Sequence, residues 1–200
     1  NQAEYISLLQ EKDMVFCSGA AGSGKTFLAV AQALFLVLTR KKNKLIITRP
    51  VVEAGENLGF LPGDLEQKLN PYLRPLRDSM ESVLPIETVK HLFEAGIIEV
   101  APLAYMRGRT LNNAVIILDE AQNTTCAQMK MFLTRMGENS KVFITGDQTQ
   151  IDLPKKQTSG LVHALNVLQN INDIGFMELT TDDVVRNNLV KKIVKAYENE

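Results

Sequence analysis

The run Gly19-Ala20-Ala21-Gly22-Ser23-Gly24-Lys25-Thr26 fits the spacing G-x-x-x-x-G-K-[ST], and each part has a task in holding phosphate. The glycines let backbone wrap an anion without Cβ clashes, so that successive N–H groups converge on it. A helix starting at the end of the run adds its positive pole to the same field. Lys25 has the reach for β and γ phosphates, and the Thr26 hydroxyl suits a magnesium ion. Chance produces this pattern in roughly one per cent of chains this long at a glycine frequency of about 7%. An apolar strand ahead and an uninterrupted helix behind narrow the reading to a nucleotide site.

Farther along, Val115-Ile116-Ile117-Leu118-Asp119-Glu120 reads as an apolar strand ending in two acids. Asp119 at the tip is suited to the Mg²⁺ contact of a second phosphate motif. Glu120 is suited to polarise a water in line with the γ phosphate. Paired acids also serve as plain helix-start residues; the cradle upstream favours the chemical reading. A third strand, Val142-Phe143-Ile144-Thr145, leads into Gly146-Asp147-Gln148-Thr149-Gln150. Thr145, Asp147 and Gln150 carry groups able to sense a γ phosphate, although an ordinary Gly-Asp turn explains them equally well.

Such residues work only if strand tips meet. Short β-branched runs predict strands at Met14–Ser18, Leu45–Thr48, Ile97–Val100, Val115–Leu118, Val142–Thr145 and Ile174–Leu179. Helical patterns fall at Lys25–Leu38, Asp64–Val83, Glu87–Ala95, Cys126–Met136, Gly160–Leu168 and Asp183–Tyr197. Near-continuous apolar strands alternating with helices predict an α/β fold, its parallel sheet covered on both faces. Ligands bind such folds at the C-terminal edge of the strands. The segment Pro50–Pro85 breaks the rhythm, and Glu53–Gly63 reads as a long loop, functional or merely a surface excursion.

Composition limits the alternatives. With 200 residues, 45% apolar and 22% charged, the chain suits one globular domain, 1–200, and excludes disorder or a coiled coil throughout. The apolar stretch Phe27–Leu38 is too short to span a bilayer, so no membrane role is expected. No secretory signal heads the chain, which opens at Asn1 as a trimmed or excised segment would. Two cysteines, Cys17 and Cys126, suit a cytoplasmic setting. Cys126, His91 and His163 are too scattered for a zinc pattern. Lys and Arg total 22 against 23 Asp and Glu, a net charge of −1. This balance argues against bulk electrostatic binding of nucleic acid, and any such site must be a local patch or be assembled from several subunits.

Several residues carry two readings each. Arg186 falls in the first turn of the expected last helix, where the macrodipole disfavours a cation unless an anion lies nearby. Pairing with Asp182 or Asp183 is the plain alternative. Arg107 and Arg109 flank Gly108 on a loop expected near the nucleotide edge, as phosphate grips or as a solvated basic loop. Arg40, Lys41, Lys42 and Lys44 follow a helix C-terminus and read as capping and solubility. Met129, Phe132, Leu133 and Met136 form a core stripe.

Taken together, the chain resembles the superfamily 1 helicase core, and most closely the PhoH-like ATPase family. The resemblance rests on Asn1-Gln2 with Tyr5, the cradle Gly19–Thr26, Ile47-Thr48-Arg49-Pro50 and Gly59-Phe60-Leu61-Pro62-Gly63-Asp64. It continues through Ala104-Tyr105-Met106-Arg107-Gly108-Arg109-Thr110, Leu118-Asp119-Glu120-Ala121-Gln122-Asn123, Gly146–Gln150 and Asp183-Val184-Val185-Arg186. It implies a three-layer P-loop NTPase of RecA-like form with a mostly parallel sheet, and an extra strand between the two phosphate-motif strands. It implies ATP and Mg²⁺ as cofactors, held by Walker A residues Gly19, Ala20, Ala21, Gly22, Ser23, Gly24, Lys25 and Thr26, with Asp119 of Walker B sharing the metal. Gln2 would read adenine, Glu120 would act on water, Gln150 would couple the γ phosphate to movement, and Arg186 would be an arginine finger or sensor. Arg49, Arg107 and Arg109 would meet single-stranded RNA or DNA. Superfamily 1 helicases carry two such domains and this chain has room for one, so a homo-oligomer such as a hexameric ring is expected. A P-loop nucleotide or nucleoside kinase and a nonenzymatic nucleotide switch are the competing functions.

Overall fold

The computed structural model of the chain describes residues 1–51 and 65–185. Six strands form one sheet: β1 (Met14–Gly19), β2 (Lys44–Arg49), β3 (Ile98–Pro102), β4 (Ala114–Leu118), β5 (Lys141–Gly146) and β6 (Ile174–Leu179). Their order is β3-β2-β4-β5-β1-β6, and every pairing is parallel. β5 lies between β1 and β4, which carry the two phosphate motifs, as the resemblance implies. Because all strands run one way, the ends of β1, β2, β4 and β5 meet along a single edge.

Helices cover both faces, as near-continuous apolar strands demand. Val15 and Cys17 of β1, Leu45 and Ile47 of β2, Val115 and Ile117 of β4 and Phe143 of β5 face one core. That side is closed by α1 (Gln2–Glu11), α2 (Lys25–Leu38), α3 (Leu65–Glu81) and α4 (Ile86–Glu94). The alternate residues Phe16, Ile46, Ile116 and Ile144 face the other core, under α5 (Cys126–Leu133) and α6 (Gly160–Leu168). Met129 and Phe132 are buried there, with Leu133 and Met136 packed against them. Cys17 is fully buried, and burial pushes its thiol up to about 12.

Three elements depart from expectation. α1 is a helix that the alternation of strands and helices does not predict; the buried Lys141 ammonium caps its end by donating to the carbonyls of Leu9, Gln10 and Lys12 at 3.2, 3.0 and 2.6 Å. α5 stops at Leu133 rather than Met136, because the backbone beyond it pairs with Leu111. Leu111 N–H donates to the Arg135 carbonyl at 2.9 Å, and Gly137 N–H donates to the Leu111 carbonyl at 2.8 Å. Asp183 does not open the expected helix Asp183–Tyr197: it ends a short 3₁₀ turn, Thr181–Asp183, and Val184 leaves it extended, while residues 186–197 lie outside the described residues. The expected loop Glu53–Gly63, the motif Gly59–Asp64 and Arg186 lie outside the described residues.

The basic cluster after α2 is more committed than a solvated end requires. Lys42 is buried and donates to the backbone and side-chain oxygens of Asn139 at 2.5 and 2.8 Å. Lys44 pairs with Glu99 at 2.7 Å. Among the described residues, no helix is long and apolar enough to cross a membrane.

Candidate active site

The end of β1 opens into the loop that precedes α2. Gly19 must be glycine, since a Cβ there would collide with the Leu179 carbonyl at the end of β6. Gly24 adopts φ +91°, and a Cβ on it would stand 3.1 Å from Gln2 Nε2. Ser23 Oγ donates to the Ala20 carbonyl at 2.8 Å, and the buried Lys25 ammonium reaches the same carbonyl at 3.2 Å. Lys25 therefore arches over the loop, with α2's first N–H groups opening onto the same concavity.

Gln2 closes this loop from outside. Its Nε2 donates to the carbonyls of Ser23 and Asp183 at 2.9 and 3.1 Å. The start of α1, the phosphate loop and the segment after β6 are thus tied through one side chain. Asn1 adds a bond from its Nδ2 to Asp183 at 2.9 Å.

Asp119 follows β4 and is 1% exposed. Its Oδ1 accepts from the hydroxyls of Thr26 at 2.8 Å and Thr145 at 2.7 Å. The two residues expected to hold magnesium thus stand side by side, and both offer the hard oxygen donors that Mg²⁺ takes. Asp119 Oδ2 accepts from Arg49 Nη2 at 2.6 Å and Nε at 3.2 Å. Thr145, whose hydroxyl is able to sense a γ phosphate, here donates to this carboxylate. Arg49, expected on a nucleic-acid face, sits against Asp119 and Glu120 at the tip of β4.

Glu120 is half-exposed and held in the left-handed region at φ +53°. Its Oε2 accepts from Gln122 Nε2 at 2.5 Å. Gln122 is fully buried; its Oε1 accepts from Asp147 N–H at 3.0 Å, and Nε2 also reaches the Gln150 carbonyl at 3.3 Å. In the sequence Gln122 stands out only as part of a family run, with no task of its own. Its tie to Gly146–Gln150 depends on β4 and β5 being neighbours. Asp147 turns Oδ1 to the N–H and hydroxyl of Thr149, while its buried Oδ2 has no partner among the described residues. The Gln150 side chain is exposed.

Arg107 is exposed. Arg109 makes a bidentate pair with Glu99 at 2.6 and 3.0 Å, and Lys44 shares that carboxylate. These contacts hold Glu99 down at about 2 against an opposing effect of burial. Glu99 is the second residue of β3 and Lys44 the first of β2, at the end of the sheet away from the edge where the strands end and a nucleotide is expected. The expectation that Arg109 lies near that edge is corrected: the chain between β3 and β4 runs back along the sheet and carries Arg109 with it.

Comparison with known proteins follows the same lines. The PhoH-like protein family matches residues 1–198. A PhoH-like protein of Bacillus subtilis (strain 168) is 56% identical over 199 residues, covering 100% of this chain and 62% of that protein. The chain thus spans less than two thirds of that relative's length. Among solved structures, the large terminase of a thermophilic bacteriophage superposes with TM-score 0.58 at 12% identity, over 97% of this chain and 48% of that one. The Pyrococcus furiosus Hef helicase domain gives 0.54 at 14% identity, over 92% of this chain and 38% of that one. The architecture is that of a P-loop NTPase.

Proposed function

The chain belongs to the PhoH-like family, and on that premise we propose that it binds ATP with Mg²⁺ and hydrolyses it at the end of β1 and β4. The observation that carries this reading is the 2.8 Å contact between Thr26 and Asp119, with Lys25 on one side and Glu120 on the other. Loop N–H groups from Gly19 to Thr26 and the Lys25 ammonium bind the phosphates. Thr26 and Asp119 hold the magnesium, which when bound neutralises charge on the phosphate oxygens. Glu120 accepts a proton from the attacking water, and Gln122 fixes the direction in which its carboxylate points. Gln2 has spent its amide donor on the loop, which leaves Oε1 for the amino group of adenine.

Hydrolysis is proposed to drive remodelling of single-stranded RNA or DNA. Gln150 reports the γ phosphate through the Gly146–Gln150 turn. Arg186 acts as an arginine finger or sensor, in a neighbouring subunit if the chains assemble as a ring. With a net charge of −1, affinity for nucleic acid per subunit is modest. Arg107, exposed and without a carboxylate partner among the described residues, is a better phosphate contact than Arg109.

Phosphate release from ATP, measured with and without single-stranded RNA or DNA, tests this reading. Release that is lost in Lys25→Ala and stimulated by nucleic acid is the expected result. Phosphate appearing only on an added nucleoside acceptor would replace the ATPase with a kinase. Light scattering with and without ATP tests assembly, and a monomer throughout would remove the role of Arg186 between subunits.

A further inference from the structure

Arg49 is the last residue of β2, and its guanidinium lies against both acids at the tip of β4. Its Nη2 stands 2.6 Å from Asp119 Oδ2 and 3.8 Å from Glu120 Oε1, and its side chain is 17% exposed. Strand pairing forces this proximity. Thr48 is in register with Leu118, and Asp119 N–H donates to the Thr48 carbonyl at 2.9 Å, so the residue after Thr48 emerges beside the acids.

The Asp119 carboxylate is thereby saturated. A carboxylate has about four lone-pair directions; two hydroxyls take Oδ1 and the arginine fork takes Oδ2. The two halves differ in what they allow. A hydroxyl that donates to Asp119 keeps its own lone pairs for a cation, so the Thr26 contact is compatible with a shared metal. The guanidinium is not, because it would bring like charge against the metal in a site where Asp119 is almost wholly buried. Arginine cannot escape this by losing its proton.

We propose that Arg49 is the resident counter-cation of the metal site, and that it gives up Asp119 only to a divalent cation that arrives with nucleotide. Without nucleotide, Arg49 neutralises two acids that would otherwise repel one another, and a bare divalent ion is refused. With nucleotide, the phosphates supply further oxygen ligands and the exchange becomes favourable. The site thus selects the metal–nucleotide complex over the free metal. The proposal rests on the nucleotide reading above.

Manganese stands in for magnesium in the test, because free Mn²⁺ can be counted by electron paramagnetic resonance in the absence of nucleotide. Wild type is expected to bind Mn²⁺ weakly. Arg49→Ala, and Arg49→Gln as a variant that keeps side-chain bulk, should each bind it at least tenfold more tightly. The double variant Arg49→Ala/Asp119→Asn should lose that gain. Thermal melting gives a second readout: Arg49→Ala should melt below wild type in EDTA and recover with Mn²⁺ alone, whereas wild type should not respond. Equal Mn²⁺ affinity in wild type and both single variants overturns the proposal. A wild type that binds ATP neither alone nor with Mn²⁺ defeats the nucleotide reading instead, and the Mn²⁺ gain of the variants still decides the exchange.

Discussion

Gln122 holds Glu120 from behind: its amide nitrogen donates to Glu120 Oε2 at 2.5 Å while its amide oxygen accepts from Asp147 N–H at 3.0 Å. One buried amide therefore links the proposed catalytic base to the turn after β5. An amide is suited to this post because it donates from one end and accepts at the other without adding charge.

Gln122→Ala should release both ends. Glu120 would keep its charge but lose its direction, so kcat should fall while ATP affinity stays near that of wild type. The Asp147 N–H would be left buried without a partner, at a cost of about 1–3 kcal/mol in folding stability. Steady-state kinetics beside urea unfolding checks both parts. A variant that loses stability but keeps kcat would make Gln122 a structural residue only.

The Glu99 pair predicts an acid dependence of stability. Hydrogen bonds from Arg109, supported by Lys44, hold the folded carboxyl at about 2, against 4.5 for the free group. The folded state therefore keeps this charge where the unfolded state has lost it. The contribution is fully present above pH 4.5 and disappears as pH falls towards 2. Glu99 is partly exposed, so solvent screens the effect and its size stays modest. In unfolding measurements between about pH 2 and 5, Glu99→Gln should show a shallower loss of stability than wild type. Parallel curves would contradict the assignment.

Lys141 should matter for the placement of Gln2. Its ammonium is the donor for three carbonyls at the end of α1, and Gln2 stands at the start of that helix. Lys141→Met keeps the buried chain and removes the donor. Stability should drop by about 1–3 kcal/mol, with loss of hydrogen-exchange protection concentrated in α1. Unchanged protection there would mean that the cap is dispensable.

What can be read from residues alone follows from the range of the interactions. The six strands are legible almost to their ends because apolar runs and turn residues are local signals. The cradle is plain for the same reason. α1 is not legible in this way, because Gln2 and Tyr5 stand out as a motif rather than as helix, and the lysine that caps it is Lys141, far along the chain. The placements of Arg49 on Asp119, Arg109 on Glu99 and Thr145 on Asp119 all depend on which strands are neighbours and which way the connections run. Types and spacing do not carry that information. Thr145 illustrates the point: its hydroxyl suits a phosphate or a carboxylate equally, and the adjacency of β4 and β5 decides for Asp119.

The proposed role of Glu120, accepting the proton of the attacking water, is tested most directly by Glu120→Gln. The substitution keeps size and hydrogen-bonding capacity but removes the basic oxygen. ATP binding and initial phosphate release should be measured on the same preparations of wild type and Glu120→Gln. ATP affinity should stay close to wild type, with phosphate release lower by about two to four orders of magnitude. Near-normal turnover in Glu120→Gln would contradict the assignment.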